Sequence, residues 1–279
     1  MVASLKLVHR AVAALTGRAA GLQQARWASS LAQDLPNVWV FLGPPGVGKG
    51  TYSTRMAKSF GMDHIAAGDL VRAEMKRGSE LGKQMKEIVN EGRLLPDNII
   101  LRVMRERMAH SQANGFSSFL LDGFPRTADQ AAALNEFANV NLALNLDLRE
   151  EVLIEKCMGR RICRHCGSNY NIANIYLPAS ESRPEIVMPP LDPPEACAPH
   201  LEQRSDDNEE TIRKRLEVRE GGCFVVYHAE ATPVEEYYAK QGVLVDFEIT
   251  GGIPETLPRL LETLKPFAEA PQGEAAATA

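Results

Sequence analysis

Lys49 sits in the stretch FLGPPGVGKGT, residues 41–51, among glycines at 43, 46, 48 and 50 and just ahead of the Thr51 hydroxyl. A turn of this kind brings successive backbone N–H groups to one point, and glycine lets the chain approach an anion where a Cβ would intrude. Gly46, Val47, Gly48, Lys49, Gly50 and Thr51 therefore form a candidate phosphate cradle, with Lys49 as the point charge for the β and γ phosphates. The usual pattern is G-x-x-x-x-G-K-[ST]; here Gly50 follows the lysine and the hydroxyl arrives one place later. A plain glycine turn would account for the glycines, but not for the lysine and threonine that follow the apolar run at 38–42.

A second constellation is Asp122-Gly123-Phe124-Pro125-Arg126. A carboxylate beside bound phosphates can hold Mg2+ through water, because that ion keeps most of its hydration while bridging phosphate oxygens. Arg126 offers a planar fork to an anionic oxygen. The next four residues, Thr127-Ala128-Asp129-Gln130, read as a capping box that opens a helix. A purely structural pair between Asp122 and Arg126 is the competing reading, and it is weaker with a phosphate loop in the same chain. Arginine recurs at Arg72, Arg93, Arg126, Arg160, Arg161, Arg204, Arg213 and Arg215, at the borders of two stretches that do not serve a sheet. In a net-acidic chain this distribution points to groups brought to phosphates when those stretches close.

Strand patterns at 38–42, 64–65, 119–122, 142–147 and 243–249 alternate with helical ones, which predicts a parallel sheet with helices on both faces. Ligands of such sheets gather at the carboxyl ends of the strands, where Gly43 and Asp122 both fall. Short helices at 69–76, 81–91 and 97–108, joined by Gly78, Gly92 and Pro96, are expected to build a small cap. Residues 163–205 are rich in proline, resist any long helix or strand pattern and read as an insertion with few apolar residues to bury. Helical patterns resume at 206–219, 232–240 and 254–267, and the tail 268–279 is expected to be disordered.

The 279 residues, 44% hydrophobic and 24% charged, suffice for one α/β domain with a full core. A formal charge of -5 argues against a protein whose main business is coating nucleic acid. Residues 1–33 carry Lys6, Arg10, Arg18 and Arg26 without an acidic residue, and Leu5, Val8, Val12 and Leu15 recur at helical spacing. This is the pattern of an organelle transit peptide, too broken for a membrane span; a surface helix of the folded domain is the competing reading. The arginines favour a mitochondrial matrix slightly over a chloroplast stroma.

Cys163-x-x-Cys166 and Cys197-x-x-His200 have the spacing of two knuckles that together offer a Cys3His site for Zn2+. Proline-rich loops also hold their shape without metal, and a metal-free insertion is the preferred expectation. Cys157 and Cys223 read as small apolar residues.

Six blocks, GPPGVGKGT, AAGDLVRAEM, GSELGK, DGFPRTADQA, GRRIC and RSDDNEETIRKRL, occur in the order and approximate spacing of the long-lid adenylate kinases. The chain resembles that family over about 38–267, and its paired cysteines and long lid resemble most the plant organellar members. The resemblance implies a P-loop nucleoside monophosphate kinase of the α/β class, with a five-stranded parallel sheet in a domain at 36–267. That domain would carry an AMP-binding insertion at about 66–95 and a lid at about 160–208, and would act as a monomer. The activity implied is reversible phosphoryl transfer from MgATP to AMP giving two ADP, with no nucleic-acid partner and no side-chain nucleophile.

Carried over by residue, positions 46–51 match the ATP-phosphate loop, and Arg160, Asn169 and Tyr170 match the lid's ATP contacts. Ala67, Arg72, Arg93, Leu94, Leu95, Gly123, Phe124, Pro125, Arg126 and Gln130 match the AMP pocket. Arg204 and Arg215 match the pair that neutralises phosphates as the lid shuts, while Asp206 and Asp207 match the acidic pair of its hinge. Three positions depart from the pattern: Ala67 replaces a threonine that would contact AMP, Lys156 replaces an arginine that many members lay on the adenine, and Ile253 replaces a residue that is often polar. GTP as donor, another monophosphate as acceptor, and a zinc-knuckle nucleic-acid module are the alternatives.

Overall fold

A computed structural model describes residues 35–90, 95–180, 183–204, 207, 209, 212, 218–219 and 223–269. The expected transit peptide and residues 270–279 of the expected tail, and with them Arg93, Leu94, Asp206, Arg213 and Arg215, lie outside the described residues, whereas 268 and 269 end the last helix and are not disordered.

Trp39 and Phe41 face one way from the first strand and Val38, Val40 and Leu42 the other, and the two sets are buried in different apolar clusters. A strand buried on both faces needs such an uninterrupted apolar run. In chain order, β1 (Asn37–Leu42) leads through the glycine loop to α1 (Lys49–Phe60), and β2 (Asp63–Ala66) leads to α2 (Ala67–Arg77), α3 (Glu80–Asn90) and α4 (Asp97–Ala113). Next come β3 (Ser118–Asp122), α5 (Ala128–Leu134), β4 (Asn139–Asp147) and α6 (Glu150–Gly159). The insertion holds β5 (Arg160–Cys163), β6 (Asn169–Asn171), β7 (Ile175–Leu177), β8 (Ile186–Met188) and β9 (Leu201–Glu202). An antiparallel pair, β10 (Val218–Arg219) and β11 (Cys223–Phe224), precedes α7 (Val225–Lys240), β12 (Leu244–Glu248) and α8 (Ile253–Glu269).

All five expected core strands pair in parallel, in the order β12-β4-β1-β3-β2. The chain places β2 and β3 on one side of β1 and then crosses to put β4 and β12 on the other, which opens a crevice at the carboxyl ends beside β1. The Trp39 cluster is completed by Tyr52 and Met56 of α1, Val152 and Leu153 of α6, and Leu260 and Leu264 of α8. The Val38 cluster takes Ile100, Met104 and Met108 from α4, Leu134 from α5, and Val234 and Tyr238 from α7. Helices thus cover both faces.

The structure corrects two expectations. The third helix of the supposed cap, α4, is a core element, because Ile100, Met104 and Met108 recur every four residues on one buried face. The proline-rich insertion, expected to hold no long element, has among the described residues only short elements of two to four residues, but it carries apolar anchors where few were expected. Ile175, Ile186 and Met188 of the antiparallel β7–β8 hairpin are buried in the Trp39 cluster, each contributing about 1.5–3 kcal/mol by burial. The hairpin is also tied to the core by main chain: Val187 bridges Gly251, and the Gly252 N–H donates to the Val187 carbonyl at 3.1 Å. Among the described residues no helix is long and apolar enough to cross a membrane.

Candidate active site

The loop after β1 turns through Gly43, Gly46 and Gly48, all at positive φ, and Gly48 caps the start of α1. No acidic residue stands in the first turn of α1, so the positive end of the helix dipole remains for an anion. Val47, fully buried, anchors the loop in the core. The Thr51 N–H donates to the Gly48 carbonyl at 2.9 Å.

Lys49 Nζ donates to the carbonyls of Gly43 at 2.6 Å and Pro44 at 3.0 Å. Burial lowers its pKa to about 8; Asp122 and Cys157 act in the opposite direction, and Arg126 and Arg160 reinforce the decrease. Residues from β3, from the loop after it and from the lid therefore sit within electrostatic reach of one ammonium. Gly50, the departure from the usual loop, has a geometric cause. A Cβ there would lie 3.3 Å from Asp122 Oδ2 and 3.9 Å from Asn169 Nδ2, so the glycine lets a carboxylate of the core and an amide of the lid close on the loop.

On the other side of β1, Ala67 opens α2 and is buried, and the Arg72 guanidinium folds over Gly68 while pairing with Asp69. Leu95 is half-buried at the entry to α4. Gly123 takes φ 75°, the Phe124–Pro125 peptide is cis, and Phe124 is buried. Arg126 is exposed, with Nε donating to the Gly123 carbonyl at 3.0 Å. The Thr127 hydroxyl caps α5 as expected, accepting from the Gln130 N–H at 3.1 Å. The reciprocal half of the box is displaced: Gln130 Oε1 accepts from the Arg126 N–H at 2.8 Å, one residue before the cap. Gln130 Nε2 donates to Asp97 at 2.7 Å, so this buried amide braces the arginine loop against α4.

From the insertion, Arg160 grips the buried carboxylate of Asp207 with two hydrogen bonds, and the Asp207 N–H donates to the Arg204 carbonyl at 3.0 Å. Asn169 reaches the phosphate loop. Tyr170 does not share that direction: strand alternation turns it to the other face, and the Cys197 thiol lies within reach of its hydroxyl. The sulfurs of Cys163, Cys166 and Cys197 all lie within 4.8 Å of one another, while the His200 ring stands outside that group, 5.8 Å from the ring of His165. Hydrogen bonds with Ser168, then with the Cys197 and Cys163 thiols, lower the Cys166 pKa to about 7.

One group near the site escaped the sequence reading. His64 Nε2 lies 2.9 Å from the Ser53 hydroxyl, and burial keeps the ring neutral more readily than in water, against the pull of Asp122, Asp69 and Asp63. The strand pattern placed His64 on β2, but the convergence of β2 and β3 on Asp122 is a matter of register that only the fold supplies.

Comparison with known proteins bears on this arrangement. Residues 41–243 match the family model described as adenylate kinase. The chain is 47% identical over 226 residues to the "Probable adenylate kinase 6, chloroplastic" of Arabidopsis thaliana, covering 81% of this chain and 74% of the relative. It is 46% identical over 239 residues to the "Adenylate kinase 1, chloroplastic" of the same plant, covering 85% and 81%. A bacterial "Adenylate kinase" from Streptomyces coelicolor is 37% identical over 231 residues, covering 81% and 97%. With a glycine loop at the carboxyl end of β1 in this parallel sheet, and with a family match over most of its length, the chain belongs to the adenylate kinase family.

Proposed function

We propose that the crevice beside β1 carries out the family's reaction, reversible transfer of the γ phosphoryl group of MgATP to AMP giving two ADP, with each group in the role its position supports. The chain is an adenylate kinase; the residue roles that follow rest chiefly on one observation, the half-buried Lys49 on the glycine loop with Asp122 beside Gly50 and Asp122, Arg126 and Arg160 within its electrostatic reach. ATP lies with its phosphates on residues 46–51, where backbone N–H groups and Lys49 face the transferring group. AMP lies over the carboxyl ends of β2 and β3, between Arg72, the loop 123–126 and Leu95. Arg126 and Arg204, with Arg215 by the family pattern, neutralise charge that builds on the phosphoryl oxygens.

The attacking atom is a phosphate oxygen of AMP, so the protein supplies alignment, charge and exclusion of water. Asp122, together with the Thr51 hydroxyl that follows Gly50 in sequence, offers the hard oxygen donors that Mg2+ prefers, and the fit is supported by the close approach of Asp122 Oδ2 to Gly50. When bound, that ion neutralises charge on the phosphates. Asn169 and Arg160 come with the lid, and closure keeps water from taking the phosphoryl group in place of AMP. ADP formation from ATP or GTP, measured against AMP, UMP, CMP and GMP, tests the assignment; a preference for any acceptor but AMP would overturn it.

The lid's three converging thiols support a structural Zn2+ over the metal-free lid. Cys166 and Cys197 Sγ are 3.6 Å apart, and two sulfurs on tetrahedral zinc, each about 2.3 Å from the metal, stand about 3.8 Å apart. Cys163 is the third thiolate, and His200, whose carbonyl accepts from the Arg164 N–H of the first knuckle, is the fourth ligand of this reading. The ion would staple the two knuckles together.

The relatives named chloroplastic support a plastid stroma over the mitochondrial matrix that the arginines at 1–33 favour. The chain acts as a monomer on free nucleotides. A reporter fused to the first forty residues separates the two organelles.

A further inference from the structure

Lys156, in the last turn of α6, directs its ammonium at the outer side of the phosphate loop. Its Nζ lies 3.4 Å from the Val47 carbonyl and 3.7 Å from the place a Cβ on Gly48 would occupy. Lys49 holds the same loop through the Gly43 and Pro44 carbonyls. Two ammonium groups therefore bracket one turn of backbone N–H donors, Lys49 on the side of Asp122 and Lys156 on the side of Val47 and Gly48.

Lys49 has Asp122 to offset its charge, whereas among the described residues no carboxylate accompanies Lys156. Its surroundings are a long contact to a neutral carbonyl and the thiol of Cys157, which packs beneath Gly46. A cation partly withdrawn from water without a counter-charge is unfavourable, and burial accordingly lowers its pKa to about 8. An anion on the loop would remove that cost. A flexible stem with a compact charge suits a phosphate oxygen and lacks the planar face that stacks on a base.

We propose that Lys156 is a second cation of the donor-phosphate site, meeting the polyphosphate of the donor nucleotide over Gly48 instead of the face of its base. This rests on residues 46–51 being the donor-phosphate loop. On this reading the side chain strengthens donor binding without regard to the base, and leaves the acceptor untouched.

The test compares the full chain with Lys156→Gln, Lys156→Arg and Lys49→Met. Calorimetry measures inorganic tripolyphosphate binding, and steady-state kinetics give KM and kcat for ATP, GTP and AMP. Loss of one charged contact should weaken tripolyphosphate and ATP alike by about tenfold in Lys156→Gln. The ratio of kcat/KM for ATP over GTP and the KM for AMP should stay fixed, and Lys156→Arg should regain most of the tripolyphosphate affinity. Weakened ATP with unchanged tripolyphosphate, or an altered ATP to GTP ratio, assigns the side chain to the base and overturns the proposal. If Lys49→Met loses tripolyphosphate while Lys156→Gln keeps it, the loop reading stands and the Lys156 proposal fails; if both keep it, the loop reading itself fails. Circular dichroism on each variant separates misfolding from loss of contact, and Lys156→Arg carries the comparison if the glutamine variant unfolds.

Discussion

Arg160 and Asp207 form a two-pronged ion pair in which Arg160 Nε meets the carboxylate at 2.8 Å, Nη2 meets its other oxygen, and the aspartate side chain is only 1% exposed. Arg160 begins the insertion and Asp207 lies at its end, so one pair closes the base of the lid. Removing either partner strands the other in a poorly solvated place. Asp207→Ala is expected to cost about 3 kcal/mol, at the low end for a buried pair because Arg160 keeps some solvent contact. A double-mutant cycle with Arg160→Ala, followed by urea denaturation, should show a coupling of about 2–3 kcal/mol. Additive single effects would mean the pair does not hold the lid.

Gly50 is helical and not at positive φ, so alanine there suits the backbone and removes a helix-weakening glycine. Its methyl group would nevertheless press on Asp122 at 3.3 Å. Gly50→Ala is therefore expected to leave the Tm within a few degrees of the parent while raising the Mg2+ concentration needed for half-maximal rate. A Mg2+ titration at fixed ATP checks this, and an unshifted midpoint would detach Asp122 from the metal.

Lys49 has a pKa of about 8 in the folded protein, and it is faced by Asp122, Arg126, Cys157 and Arg160. A bound polyphosphate favours the charged form, so donor binding is strongest below that pKa and weakens as pH rises through it. ATP binding at pH 8.5 should accordingly take up protons, seen as a buffer-dependent heat in calorimetry. In Lys49→Met the uptake should shrink, and kcat should fall by about 10²–10³, as for other preorganised transition-state contacts. A variant with parental turnover would remove the lysine from the mechanism.

The five core strands were legible in the sequence because each is a short apolar run next to a turn signal, and the phosphate loop because glycine and lysine spacing is local. What the sequence could not supply depends on contacts between distant segments. The β7–β8 hairpin consists of three-residue strands among prolines, and its partner at Gly251 lies far along the chain. Gln130 matched a local box, yet its amide found Arg126 and Asp97 once α4 and α5 had packed. Tyr170 and Asn169 are neighbours that a strand sends to opposite faces. Lys156 was visible as a departure from a family pattern, but only the ending of α6 beside Gly48 gives its charge a direction.

Ala67 is buried at the start of α2, beside Gly68 and the Arg72 guanidinium. Ala67→Thr restores the hydroxyl that the family pattern places toward AMP. One added hydrogen bond is worth about 0.5–1.5 kcal/mol, which lowers the AMP KM by roughly two- to tenfold with the ATP KM unchanged. A change confined to ATP would show that the hydroxyl does not face the acceptor.

The cysteine cluster gives the last expectation. The fully buried Cys163 ends β5, and the Gly167 N–H donates to its carbonyl at 2.8 Å, closing the first knuckle. The second knuckle is joined to the first through the Arg164 N–H and the His200 carbonyl, 2.9 Å apart, which brings Cys197 to the other two sulfurs. Thiols gathered this closely by two independent turns fit a metal better than a hydrophobic contact, since Cys166 is exposed. Protein purified without added metal should contain about one zinc per chain by elemental analysis. Cys163→Ser should lose the metal, lower the Tm and open Cys166 and Cys197 to alkylation, while the parallel sheet and the helices that cover it stay folded. A metal-free preparation with full activity and stability would discard the site and leave the two knuckles joined by hydrogen bonds such as that between the Arg164 N–H and the His200 carbonyl.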